Sequence, residues 1–266
     1  MQVIHPQGMY NGLPMEDVFI ALDDMGTEMG VGYIVYQYQP HLYPDCPINL
    51  YFNLDCQPSA RYILFGALVA RARQLRDANP NVGARVYTAI NPSDERAKEF
   101  YLHNGFTCDD AEEMLELQIP AGDGRIPMSC AVAPVPLNTR EERYALLNRL
   151  QQHDVGFMDE NYLMNLQRLP HFLALGLYRN TDLIGEIILA GEGDACELVV
   201  MYIVPGARGQ GMGKVLLHRC MAIMAAEGVR HVSCRMMTRS IPMRRLTHAF
   251  GAKSLGTSTV FPSLSL

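Results

Sequence analysis

Residues 197 to 217 read ELVVMYIVPGARGQGMGKVLL: an apolar run, then Arg208, Gly209, Gln210, Gly211, Met212, Gly213 and Lys214 in succession. Glycine has no Cβ, so backbone N–H groups in such a turn can approach a bound oxygen closely, and a helix starting at about Gly211 adds the positive end of its dipole. Phosphate is the ligand that this arrangement suits. Spacing separates the known phosphate turns. A P-loop needs Ser or Thr after Gly-Lys and an earlier glycine; this chain has Val215 and Arg208 at those places. A dinucleotide turn needs a third glycine where Lys214 stands, and an early parallel βαβ setting. The pattern that is satisfied is Arg-x-x-Gly-x-Gly, from Arg208 to Gly213, after a strand that ends in a proline. A purely structural glycine turn is the plain alternative.

Two further side chains suit proton transfer. Strand alternation sets Glu197, Val199, Met201 and Ile203 on one face, so Glu197 is expected to be a carboxylate among apolar neighbours, its pKa raised towards that of a useful base. A glutamate at the start of a strand can equally be only solvated. His248, on the last helix, is a second titratable group, and by itself it reads as a packing or surface histidine. Arg235, Arg239, Arg244, Arg245 and Lys253 make the C-terminal region basic, suited to a phosphate or to solvated helix faces. Asp109, Asp110, Glu112 and Glu113 read as a solvated acidic loop that could attract an amine, and the 16 methionines read as core filler.

Composition excludes other classes. The 266 residues are 48% hydrophobic and 19% charged, as in a globular protein, and the length suits two domains. A net charge of -6 argues against nucleic acid as a partner. No apolar run reaches bilayer length and the start lacks a secretory pattern, so the expectation is a cytoplasmic protein with no membrane partner. Seven scattered cysteines without CxxC, and histidines without HExxH, suggest small apolar thiols and neither disulfides nor a metal site. No GxSxG nucleophile turn occurs.

The elements that must position these residues follow from periodicity. QIPAGDGRIP, residues 118–127, reads as a break, giving a first domain 1–120, a linker 121–127 and a second domain 128–266. The first has three strands (DVFIALDD, MGVGYIVYQYQ, INLYFNLD), a helix from Ala60, a short strand, a helix after NPSD and a last strand, DDAEEMLELQIP. The second has a strand, a helix opened by Thr139 and Glu142 as a capping box, a helical stretch ending at Pro170, a hairpin across Asn180–Asp182, then strand, helix, strand, helix and strand. An offset of 146 places Val86 on Val232 and Gly105 on Gly251, which points to one fold occurring twice.

With its strand, its proline and the helix that follows, IVPGARGQGMGKVLLHRCM resembles motif A of the GNAT N-acetyltransferases. The resemblance covers nearly all of 128–266 and, by order of elements, more faintly 15–120. NPSDERAKEFYLHNGF is similar to the family's motif B, with Asn91, Ala97, Tyr101, Gly105 and Phe106 in place, whereas QPSARYILFG has no glycine pair, and Tyr62 and Leu64 would crowd a phosphate. The resemblance implies an α/β fold of two GNAT-like domains, each a mixed, mostly antiparallel twisted sheet flanked by helices, the first a degenerate copy. It implies acetyl-CoA as co-substrate, held by main-chain groups from Arg208 to Lys214, with the thioester oxygen on the backbone at Ile203. It implies acetyl transfer to a primary amine by direct attack, the acceptor being a small molecule or peptide. Glu197 matches the placement of the general base in histone-type members. The usual tyrosine acid is missing: Thr247 takes its place, and the resemblance leaves the adjacent His248 as the candidate acid. A catalytically silent CoA-binding module is the alternative.

Overall fold

The computed structural model describes residues 1–40, 43–153, 155 and 158–266. It divides into two compact units, one of Met1–Ala111 with Thr259–Leu266, the other of Glu112–Ser258. No helix among the described residues is long and apolar enough to cross a membrane.

The first unit holds a six-stranded sheet in the order β1 (Gln2–Ile4), β2 (Val18–Leu22), β3 (Glu28–Tyr38), β4 (Ile48–Cys56), β5 (Ala84–Tyr87) and β13 (Ser263–Ser265). Its pairs are antiparallel except β4 with β5. Helix α1 (Arg61–Asp77) buries Leu64, Phe65, Leu68 and Ala72. Each fully buried leucine there contributes roughly 1.5–3 kcal/mol. Helix α2 (Glu95–His103) starts on Asp94, whose side chain accepts from the Ala97 N–H.

The second unit holds a seven-stranded sheet built from β6 (Ala111–Leu117), β7 (Cys130–Pro134), β8 (His171–Arg179), β9 (Asp182–Glu192), β10 (Ala195–Ile203), β11 (His231–Met237) and β12 (Lys253–Val260). Their spatial order is β12-β6-β11-β10-β9-β8-β7, and β10 with β11 is a parallel pair. Helix α5 (Met212–Ala226) covers one face with Leu216, Leu217, Cys220, Met221 and Met224, joined by α6 (Ile241–Ala249) through Met243 and Leu246. Helices α3 (Arg140–Gln152) and α4 (Glu160–Gln167) cover the other with Leu146, Leu150 and Leu163. The expected capping box is present: the Glu142 N–H donates to Thr139 Oγ1 at 3.2 Å, and the Thr139 N–H donates to Glu142 Oε2 at 3.0 Å.

Both units carry the expected GNAT-like pattern of a mostly antiparallel sheet with flanking helices, and α2 and α6 lie 146 residues apart at both ends. Their caps repeat as well, Asp94 on Ala97 and Ser240 on Met243, and Gly105 and Gly251 both have positive φ. The boundary expected at 118–127 is displaced. Strand β6 pairs antiparallel with β11, and its Leu115 and Leu117 are buried in the second unit's core. The last residues return to the first unit, where β13 pairs with β5 and Leu264 and Leu266 pack on its core. The first sheet therefore contains a strand from the far end of the chain, and the second begins with a strand that precedes the expected boundary.

Candidate functional site

The glycine turn lies where β10 gives way to α5. Beyond Ile203 the chain makes a short 3-10 turn, Pro205–Ala207, then passes through Arg208 in extended conformation. Gly209 and Gly211 follow with φ of 75° and 78°. An L side chain is strained in that region, and this is why the two positions are glycine. A Cβ on either would meet nothing within 4 Å, so the space over the turn is open. Gly213 has a different reason: a Cβ there would lie 3.1 Å from Met201 Cε and 3.8 Å from Leu246 Cδ1, because α5 packs closely on β10 and α6. Gly211 is the N-cap of α5 and offers no side chain to the first N–H groups. An open cap with dipole-aligned donors is a cradle for an anion.

Neighbouring side chains brace this cradle. Arg208 Nε donates to the Ile203 carbonyl at 2.8 Å, so the arginine folds back on the strand and sets the turn. Gln210 Nε2 donates to the Gly206 carbonyl at 3.0 Å, while Arg179 of β8 donates to Gln210 Oε1 at 2.7 Å. Met212 is buried, with only its backbone at the helix start, and Lys214 is exposed.

Next to the turn, β10 parts from β11. The two pair only from Ala195 with His231 to Leu198 with Cys234. Further on β10 pairs with β9 alone, and β11 with β6 alone. The Val204 N–H donates to the Ile184 carbonyl on the β9 side. Alternate residues of a strand present their N–H to the same edge, so Met201 and Ile203 turn theirs to the opened gap. Strand end, gap and glycine turn thus meet in one place.

Glu197 is not set as the alternation predicts. A β-bulge between Leu198 and Val200 inserts one residue against β9. Such a bulge exchanges the faces of everything after it. Cys196 and Leu198 pack in the α5-side core, as do Met201 and Ile203, whereas Val200 and Tyr202 pack on the α3 side. Glu197 therefore faces away from Met201 and Ile203. In place of an apolar enclosure, its Oε1 meets Arg235 Nε at 3.0 Å, with 36% and 54% of the two side chains exposed. Four residues of strand, about 13 Å, separate it from Met201.

His248 is exposed on α6, and the adjacent Thr247 is buried, its hydroxyl donating to the Arg244 carbonyl at 3.1 Å. In the first unit Tyr101 is enclosed by Phe65, Phe100 and Phe106, and burial pushes its phenol pKa up. Leu64 turns into the core and does not crowd the start of α1, while Tyr62 is exposed. No positive-φ residue occurs from Gln57 to Arg61, so the first unit lacks the second unit's turn geometry.

A buried polar cluster escaped the sequence reading. Glu186 of β9, 1% exposed, accepts from Arg149 Nε and Nη2 of α3 at 2.9 and 2.7 Å and from the Tyr202 hydroxyl at 2.6 Å. The His153 ring stacks on Tyr202 at 4.3 Å. Burial, then the Glu186 carboxylate, push the Tyr202 pKa up. The available signal was a lone acid inside the apolar run LIGEIILAG, since a buried charge requires partners.

Residues 140–252 match the acetyltransferase (GNAT) family model. This segment belongs to the GNAT acetyltransferase family. The matched segment contains the glycine turn and the opened strand, and an acyltransferase is the kind of enzyme that this family model describes. No curated protein matches the chain. Among solved structures it is similar to a GCN5-related N-acetyltransferase from Sphaerobacter thermophilus, at 14% identity and TM-score 0.51, over 96% of this chain and 82% of that one. A probable N-acyltransferase from Enterococcus faecalis is similar at 12% identity and TM-score 0.57, over 92% of this chain and 61% of that one. A GCN5-related N-acetyltransferase from Anabaena variabilis is similar at 13% identity and TM-score 0.53, over 94% and 62%. These likenesses concern the fold, which extends over both units.

Proposed function

We propose that the chain transfers an acetyl group from acetyl-CoA to a primary amine, of a small molecule or a peptide, in a ternary complex without a covalent enzyme intermediate. The observation that carries this reading is the open glycine cradle at the start of α5, placed beside the end of β10 where it has left β11. The residues present fit the co-substrate: main-chain N–H groups from Gly209 to Lys214 would hold its diphosphate, that of Arg208 being taken by the Pro205 carbonyl, and the freed Ile203 N–H its thioester oxygen. Acetyl-CoA supplies the activated acyl group. As the amine attacks, a C–N bond forms and the C–S bond breaks, and a donor fixed at the oxygen stabilises the charge developing there.

Proton transfer in this reading falls to Glu197, which takes the amine proton through water along the α3-side face, and to His248, which returns one to the leaving thiolate. Glu197 would have to act from within its ion pair with Arg235. That pairing, together with the buried Thr247 at the usual tyrosine position, favours the second reading, a CoA-binding module without turnover.

A thiol-release assay over a panel of amines separates the two. The transferase reading expects turnover with at least one amine and a loss of about a hundredfold in Glu197→Gln. Binding of acetyl-CoA with release from none of the panel would favour the silent module.

A further inference from the structure

Beyond Leu198 the end of β10 is held by a strand along one edge only, although it carries the N–H groups of Met201 and Ile203. Tyr202 stands between those two residues. Its ladder partner on β9 is Glu186, and the two side chains meet on the α3-side face at 2.6 Å. Arg149 engages both carboxylate oxygens, and the Glu186 side chain is 2% exposed while that of Arg149 is 32% exposed. Burying a charged pair gives little stability that an apolar pair of the same volume would not give. What a fully satisfied network does give is a single fixed geometry.

We infer that Glu186 is a positioning residue for acyl transfer: through Tyr202 it fixes the freed half of β10, and through Arg149 it ties that half to α3. The inference rests on the acyl-CoA reading above, because it assigns the freed half the task of holding the pantetheine arm and the thioester. Tyr202 cannot shift without moving the amides on either side of it. His153, stacked on the same ring at the end of α3, is a further point at which the helix bears on this strand.

The test compares two ligands on the full chain. ADP offers a diphosphate to the glycine turn alone, whereas acetyl-CoA also needs the strand end. Glu186→Gln and Tyr202→Phe are expected to weaken acetyl-CoA binding roughly tenfold and to leave ADP binding within about twofold. A change shared equally by both ligands, or no change in either, would overturn the inference, because general loosening of the fold does not discriminate between them. If Glu186→Gln fails to fold, Tyr202→Phe decides alone, since it keeps the aromatic ring and the Glu186–Arg149 pair. A wild-type chain that binds neither ligand would instead remove the acyl-CoA reading itself.

Discussion

The three turn glycines are there for two separate reasons, and substitution tells them apart. Gly209→Ala or Gly211→Ala forces an L side chain into the left-handed region at a cost of about 1–2 kcal/mol. Both changes should lower the melting temperature and weaken acetyl-CoA binding. Gly213→Ala asks only that the flexible end of Met201 give way by a few tenths of an ångström, so it should cost less stability, and calorimetry of the three variants checks the order. Thiols make a second residue-scale prediction. Burial pushes the Cys196 pKa up to about 11 and that of Cys234 up to about 12, and it raises that of Cys220 as well. At mildly alkaline pH these three should resist alkylation in the folded protein, whereas the half-buried Cys46 and Cys130 react first; peptide mass mapping reads the difference. Arg235→Ala removes a half-exposed partner and should change stability by less than about 1 kcal/mol.

Helix starts are the best-defined local signals in this chain, and their contribution can be measured. Thr139→Ala removes the hydroxyl from a reciprocal cap and should cost about 1 kcal/mol, seen as a shift in the urea midpoint with an unchanged slope. Caps, glycine turns and alternating strands are local, which is why α3, α5, the β8–β9 hairpin and the glycine turn were legible in the sequence. Pairing across the chain is not local. DDAEEMLELQIP reads correctly as a strand, but nothing in its own residues says that it inserts beside β11, and the three residues of β13 are too few to show a period. The bulge near Val199 is likewise one extra residue whose effect is to turn Glu197 away from Met201. Glu186 and Arg149 lie on different elements and far apart in sequence, so their pairing appears only when α3 is laid over β9.

At the scale of the whole molecule, the limits of a foldable piece differ from those that the repeat suggests. A segment of residues 111–260 contains every strand of the seven-stranded sheet, whereas 128–260 lacks β6 and leaves β11 and β12 without the strand between them. Loss of Leu115 and Leu117 alone removes roughly 1.5–3 kcal/mol of burial each. The longer segment should unfold cooperatively in denaturant and the shorter one should show no cooperative transition by circular dichroism. Removing residues 262–266 should in turn loosen the first unit, whose β5 then becomes a bare edge. The exchange also bears on synthesis: β5 is translated long before β13, so the nascent first unit keeps an unpaired sheet edge until residue 265 has cleared the ribosome. An exposed strand edge is a template for unwanted association, so the interval before β13 is made is when the nascent first unit is open to it.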